Sequence, residues 1–304
     1  MKELQLQLKK IYFILHFFDD QKMNGLFVRL KQSGIEGIET GEIEETKQSL
    51  APLLTEWKTS LYVCDEGKMA AAIKNAGGYV IACCHEKNRE ETFSGIPFAA
   101  EGIEEIETDY FFKIFDRYIG RPWEIAKTKR CLVREMQESD LDSLYRLYQD
   151  KEVTRYTEGL YEDPKEEKVY ITNYIQHIYR YYGFGTWLIF EKETGKLIGR
   201  AGFNYRPGFT DPELGFLIGV PYQRKGYAYE VCRKLIELGK EEFEFDAVSA
   251  FVEKENEASC HLCIKLGFFY KEDVVIEGKT YLHFYLEGQP TDGLPLHIRD
   301  FSHE

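Results

Sequence analysis

The stretch Glu213-Leu-Gly-Phe-Leu-Ile-Gly-Val-Pro-Tyr-Gln-Arg-Lys-Gly-Tyr-Ala-Tyr-Glu230 changes character twice. Leu214–Val220 is an apolar run bounded by Pro212 and Pro221, the pattern of a buried strand. Gln223-Arg-Lys-Gly-Tyr-Ala228 then packs two cations and a glycine into a tight turn. Val231, Leu235, Ile236 and Leu238 follow as the apolar stripe of a helix. Strand, basic turn and helix N-terminus together make an anion site. The first helical N–H groups lack intrahelical partners, and the macrodipole adds partial positive charge. At Gly226 a phosphate oxygen can approach the backbone, which a side chain would prevent. An ordinary strand-to-helix turn that binds nothing is the alternative.

The spacing is neither the Walker lysine loop nor the G-x-G-x-x-G dinucleotide fingerprint. It resembles the Q/R-x-x-G-x-G/A pyrophosphate loop of the GNAT N-acetyltransferases, with Gln223, Gly226 and Ala228 at the fixed positions. Downstream, Asn256-Glu-Ala-Ser259-Cys-His-Leu262-Cys-Ile-Lys265-Leu-Gly267-Phe268 resembles the family's N-x-x-S-x-x-L-x-x-K-x-G-F helix. The two motifs stand in the family's order, and the resemblance covers about residues 129–287. Within the family the likeness is greatest to the branch that acetylates N-termini of ribosomal proteins.

This resemblance implies a mixed, mostly antiparallel sheet with helices on both faces, and acetyl-CoA as co-substrate. It implies a cofactor strand that splays from its neighbour, leaving backbone to pair with the pantetheine arm along Leu217, Ile218 and Val220. Gln223 belongs to the loop, the N–H groups of Lys225, Gly226, Tyr227 and Ala228 hold the pyrophosphate, and Arg224 adds charge. Asn256 matches a position that contacts the pantetheine or the reacting region, with Ser259 one turn further; capping its own helix is compatible with that role. Glu213 matches a recurrent acidic position that accepts the amine's proton, through water; an edge carboxylate without a role is the alternative. Many family members place a tyrosine acid one residue after the leucine of the second motif. This sequence has Cys263 there. A thiol can donate a proton, but an inert packed cysteine is the commoner fate, and Tyr281 and Ser259 are rival donors. The implied reaction is direct attack of an amine, a protein N-terminus or a small molecule, on the thioester. A binding module that senses acetyl-CoA without turnover is the alternative, and Cys263 keeps it open.

Bulk properties narrow the partners. The 304 residues allow one large domain or two ordinary ones, and a net charge of −13 with no basic block excludes nucleic acid as the main partner. Seven cysteines without regular spacing suit a reducing compartment, so a cytoplasmic protein is expected. Cys260-His-Leu-Cys263 spells C-x-x-C, but no second ligand pair follows and the motif lies inside a helical pattern, so no metal is expected. No apolar window reaches the length of a membrane span. Tyr156, Trp187, Asn204, Tyr205 and the run Tyr179–Tyr182 are candidates for the floor of an acceptor pocket, with plain core as the alternative.

The first part of the chain reads differently. Leu4, Leu8, Ile11, Leu15 and Phe18 predict an amphipathic helix over 1–20, and Leu26, Leu30 and the Gly34 stop predict another. Leu61–Asp65 and Tyr79–Cys83 read as strands around the helix Gly67–Asn75, with a further helix over Asp109–Ile119. Strand-helix-strand implies a right-handed parallel crossover, hence a small Rossmann-like α/β module over 1–125. It faintly resembles the later half of haloacid-dehalogenase-type phosphatases, in which an Asp, here Asp65, ends a strand before a helix. Such an enzyme needs an earlier D-x-D strand, which Phe17-Phe18-Asp19-Asp20 does not supply. A non-catalytic module is therefore expected. Gly120-Arg-Pro-Trp123 and Thr128-Lys-Arg130 place the boundary, giving a second domain over 129–287 and a tail over 288–304. Strands are predicted at Cys131–Arg134, Thr186–Glu191, Lys196–Asn204, Ala247–Glu253 and Tyr281–Leu286. Helices are predicted over Asp140–Tyr148, with Ser139 or Asp140 as N-cap, and over Lys168–Tyr182.

Overall fold

The computed structural model describes residues 6–287 except 41, 42, 44 and 45; the expected tail lies outside the described residues. Contacts divide the chain into two compact units between Arg121 and Pro122.

The first unit is a parallel sheet of β1 (Lys10–Ile14), β2 (Glu36–Glu39), β3 (Ser60–Cys64), β4 (Val80–Cys84) and β5 (Ala99–Glu101), in the order β2-β1-β3-β4-β5. Helices α1 (Asp20–Gln32), α2 (Gly67–Asn75) and α3 (Thr108–Tyr118) cover it on both sides. Ile11, Phe13, Leu61, Val63 and Ile81 pack against α1 and α3, while Tyr12, Ile14, Tyr62 and Cys64 face α2. This is a doubly wound, Rossmann-like arrangement. The helix predicted over 1–20 is wrong where the structure describes it. Lys10–Ile14 is a strand, and Ile11–Leu15 are buried without interruption. Helices on both faces leave a central parallel strand no polar side, so its short apolar run reads alike in either periodicity.

The second unit is a mixed sheet of β6 (Glu124–Lys127), β7 (Cys131–Arg134), β8 (Thr186–Glu191), β9 (Leu197–Asn204), β10 (Glu213–Ile218), β11 (Ala247–Glu253), β12 (Phe269–Ile276) and β13 (Lys279–Glu287). The order is β12-β13-β11-β10-β9-β8-β7-β6, antiparallel except between β10 and β11. Side chains alternate across each strand. On one face Ala201, Phe203, Val248, Ala250 and Val252 share a core with Val231 and Leu235 of α6 (Tyr227–Glu241) and Cys263 of α7 (Glu257–Leu266). On the other, Arg200 and Asn204 meet Tyr148 of α4 (Leu141–Tyr148) and Tyr174, where α5 (Pro164–Asn173) passes into a π-helical turn. Asp140 does not cap α4 with its side chain; Arg134 grips both its oxygens, at 2.8 and 2.6 Å.

In the second unit two strands were not announced by sequence. β6 lies in the stretch read as a linker and pairs with β7. β12 carries Lys271, Glu272 and Asp273 in succession, all exposed, so it lacks an apolar run, although the turn Glu277-Gly278, with φ of 50° and 80°, is a hairpin signal.

Candidate active site

Hydrogen bonding along β10 is lopsided. On one side it pairs with β9 from Glu213↔Asn204 to Ile218↔Gly199, along its whole length. On the other it meets β11 at the single register pair Glu213↔Ser249. Beyond Glu213 the two parallel strands part, and the side of β10 facing β11 is left open to an extended ligand. Leu217 and Ile218 stand on this open half.

The turn that follows is built for close approach. Val220–Tyr222 form a short 3-10 turn, and the Gln223 amide donates to the Ile218 carbonyl at 2.9 Å, tying the turn to the strand end. Arg224 at φ 60° and Gly226 at φ 82° are both left-handed, and Gly226 stands immediately before α6 without a side-chain cap. Arg224, Lys225 and Gly226 are exposed. The first N–H groups of α6 thus face outward beside two cations, the electrostatics of a phosphate cradle.

Sequence reasoning missed the brace under this turn. Arg130 donates its Nη1 to the Lys225 carbonyl at 2.9 Å and its Nε to Glu230 at 2.7 Å, and its guanidinium lies 4.2 Å from the Tyr227 ring centre. The Tyr227 hydroxyl donates to Glu191. A Cβ at Gly226 would stand 3.5 Å from Arg130 Nη2. Arg130 and Glu230 are a hundred residues apart in the chain, which no local pattern reveals.

At the second motif, Asn256 caps α7, its side chain accepting from the Ser259 N–H at 3.2 Å. Cys263 is fully buried in the core and burial pushes its thiol up to about 12. A thiol so raised is a poor match for a departing thiolate of ordinary thiol pKa, about 8.5, which weighs against the expected role of proton donor and favours the packed cysteine.

Glu213 ends in a clamp rather than in open water. Arg206 donates to both its oxygens, at 2.6 and 2.9 Å, and leaves the carboxylate 15% exposed. The Glu213 carboxylate and backbone N–H groups aside, the same end of the sheet holds a second polar pair: Ser249 Oγ lies 2.9 Å from His283 Nε2, both residues buried. Burial and Lys271 push the His283 imidazole below its usual range. The aromatic residues expected to floor an acceptor pocket divide. Trp187 and Tyr179 are core, and Asn204 is bonded to the Tyr174 and Thr186 hydroxyls at 2.9 Å each. Tyr181, Tyr182 and Tyr205 are exposed, and Tyr156 donates to the Glu255 carbonyl at 3.1 Å. Among the described residues no group of three His, Cys, Asp or Glu side chains could hold a metal ion.

Residues 130–269 match the acetyltransferase (GNAT) domain family. An uncharacterized N-acetyltransferase of Bacillus subtilis (strain 168), YoaA, is 28% identical over 169 residues, which is 55% of this chain and 92% of that protein. The uncharacterized N-acetyltransferase p20 of Bacillus licheniformis is 31% identical over 147 residues, 48% of this chain and 82% of its own. Among solved structures, a putative GNAT-family acetyltransferase from Bordetella pertussis covers 54% of this chain and 99% of its own at 21% identity, with a TM-score of 0.47.

Proposed function

Because this chain belongs to the GNAT acetyltransferase family, and is thereby an acyltransferase, we propose that its donor is acetyl-CoA and its acceptor an amine. The observation that carries this reading is the single register pair Glu213↔Ser249, which opens β10 directly ahead of the glycine turn. Pantetheine extends along Leu217, Ile218 and Val220, and the pyrophosphate sits on the N–H groups of Lys225, Gly226, Tyr227 and Ala228 with Arg224 and Gln223 at its rim. Asn256 and Ser259 border the arm from α7. The acting segment is 129–287.

Glu213 stands where the strands part. An arginine-clamped carboxylate is held in place, and from there it orders the amine and takes its proton through water. The thiolate leaves without Cys263. With no acid in the place of the family's tyrosine, a sensor without turnover stays the alternative. The likeness to the ribosomal-protein branch leaves two acceptors, a protein N-terminus or a small amine. The N-terminal unit we take as a haloacid-dehalogenase-like module without phosphatase turnover, and the working compartment as the cytoplasm. Steady CoA release from acetyl-CoA with a mixed amine panel tests the reading; tight acetyl-CoA binding with no release under any amine would overturn it in favour of the sensor.

A further inference from the structure

Arg200 is a cation in an unusual place. It sits on β9, opposite Leu217 of the cofactor strand, with its side chain on the sheet face turned toward α4. Its Nη1 donates to the Tyr148 hydroxyl at 3.0 Å. Its Nε is shut off from solvent and has no hydrogen-bond partner, and no carboxylate of the described residues lies within ion-pair distance. Tyr148 and Tyr170 hydroxyls, not acids, surround it. Arg200 is half-buried, and a guanidinium partly withdrawn from water without an anion is costly to keep, so a fold under no other demand replaces it with an apolar side chain.

A second, independent observation places space beside it. Gly215 lies between Glu213 and Leu217 on β10, and alternation puts all three positions on the face that carries Arg200. A side chain at Gly215 would meet no heavy atom within 4 Å. Over its register partner Gly202 the same face is closed by the Gly185 backbone, so the opening belongs to Gly215. One end of this opening is the Glu213 carboxylate in its Arg206 clamp, and the other, about 7 Å along the strand from Gly215, is Arg200.

We propose that the opening over Gly215 is the acceptor site and that Arg200 binds a carboxylate on the acceptor, which makes the substrate a small amino acid-like amine. The inference rests on the acyltransfer reading and sharpens it, choosing the small molecule over the protein N-terminus. The amine lies at the Glu213 end, where a carboxylate takes its proton. The acceptor's carboxylate lies at the Arg200 end, where the Nη2 edge of the guanidinium supplies donors that no group of the described residues uses. A simple amine would leave those donors unmet, so selection works against it.

The test compares each standard amino acid with its carboxamide and its decarboxylated amine, using the full chain and acetyl-CoA. Wild type favours the free acid of its acceptor by roughly 10–100-fold in kcat/KM, the worth of a charge-assisted hydrogen bond. In Arg200→Met that preference disappears through KM, the carboxamide is used as before, acetyl-CoA affinity is unchanged, and the protein melts no lower than wild type. Arg200→Lys restores part of the preference. Equal use of acid and carboxamide by wild type overturns the proposal, as does a loss in Arg200→Met that is the same for both or that falls on acetyl-CoA affinity. Calorimetry of the acids against the CoA complex reads the site without turnover. Arginine-dependent acid binding with no transfer sinks amine acetylation and leaves the carboxylate site standing; transfer without arginine-dependent binding does the reverse.

Discussion

Each unit gathers polar side chains at the end of a parallel strand, and the two gatherings differ in what they leave over. In the first unit Asp65, at the end of β3, is 3% exposed and its carboxylate is saturated. Oδ2 accepts from the His16 and Phe17 backbone N–H groups at 2.7 and 3.1 Å, and Oδ1 lies 2.8 Å from His16 Nδ1. His85 stands at 3.4 Å and Asn88 holds the Asp65 carbonyl. In the second unit the end of β10 leaves backbone groups, helix N–H groups and the Nη2 edge of Arg200 without partners among the described residues. A polar cluster that satisfies itself fixes a fold; one left incomplete is where a ligand completes the count. Position at a strand end is therefore a weak sign of function, and unmet hydrogen-bonding capacity a stronger one.

The sharpest way to break the contrast is to fill the open end. Gly226→Glu places a carboxylate against the pyrophosphate and forces a side chain onto a backbone at φ 82°. Acetyl-CoA binding, measured by calorimetry, is expected to vanish. Unchanged affinity would mean that the turn holds no phosphate and that its openness signifies nothing.

Next in size is the proton path. Glu213→Gln keeps shape but gives up the proton acceptor, while cofactor contacts on β10 and the turn remain. Turnover should fall about 10²–10⁴-fold with acetyl-CoA affinity intact. Raising the pH should recover part of it, since more of the amine then arrives deprotonated. Near-full activity at neutral pH would assign the proton to water alone.

What was legible follows the same division. The cofactor strand, its glycine turn and α7 are local in sequence, so contiguous patterns carried them. Arg130, Arg206 and Arg200 act across elements, and each reads locally as one more surface cation. β1 was misread because two-sided burial erases the alternation that separates strand from helix. The role of Cys263 was illegible for a related reason: a motif gives the position of a side chain along a helix but not whether water reaches it, and here none does. Cys263→Ala tests that reading at modest scale. It should cost stability by about 1–2 kcal/mol, as small core truncations do, and leave kcat within twofold; a tenfold fall in kcat at unchanged stability would return the thiol to the chemistry.

The smallest expected effect on catalysis is at the closed cluster. Asp65→Asn can keep both backbone N–H groups on its one amide oxygen, since both meet Oδ2, but it puts an NH2 where Oδ1 faces the His16 Nδ1. A donor then faces a donor in a buried place, which should cost the first unit about 1–3 kcal/mol and show as a lower melting temperature. Acetyl transfer is expected not to change, because every group assigned to it lies beyond Pro122. Wild type with magnesium should not hydrolyse phosphate esters: Asp19, the first acid along the chain after β1, already accepts from the N–H groups of Gln21 and Lys22 as the cap of α1. Phosphate release that disappears in Asp65→Asn would reverse the contrast between the units. Saturation at Asp65 would then describe a resting site that opens for its substrate, and the unmet groups at β10 would lose their value as the mark that separates a working strand end from a structural one.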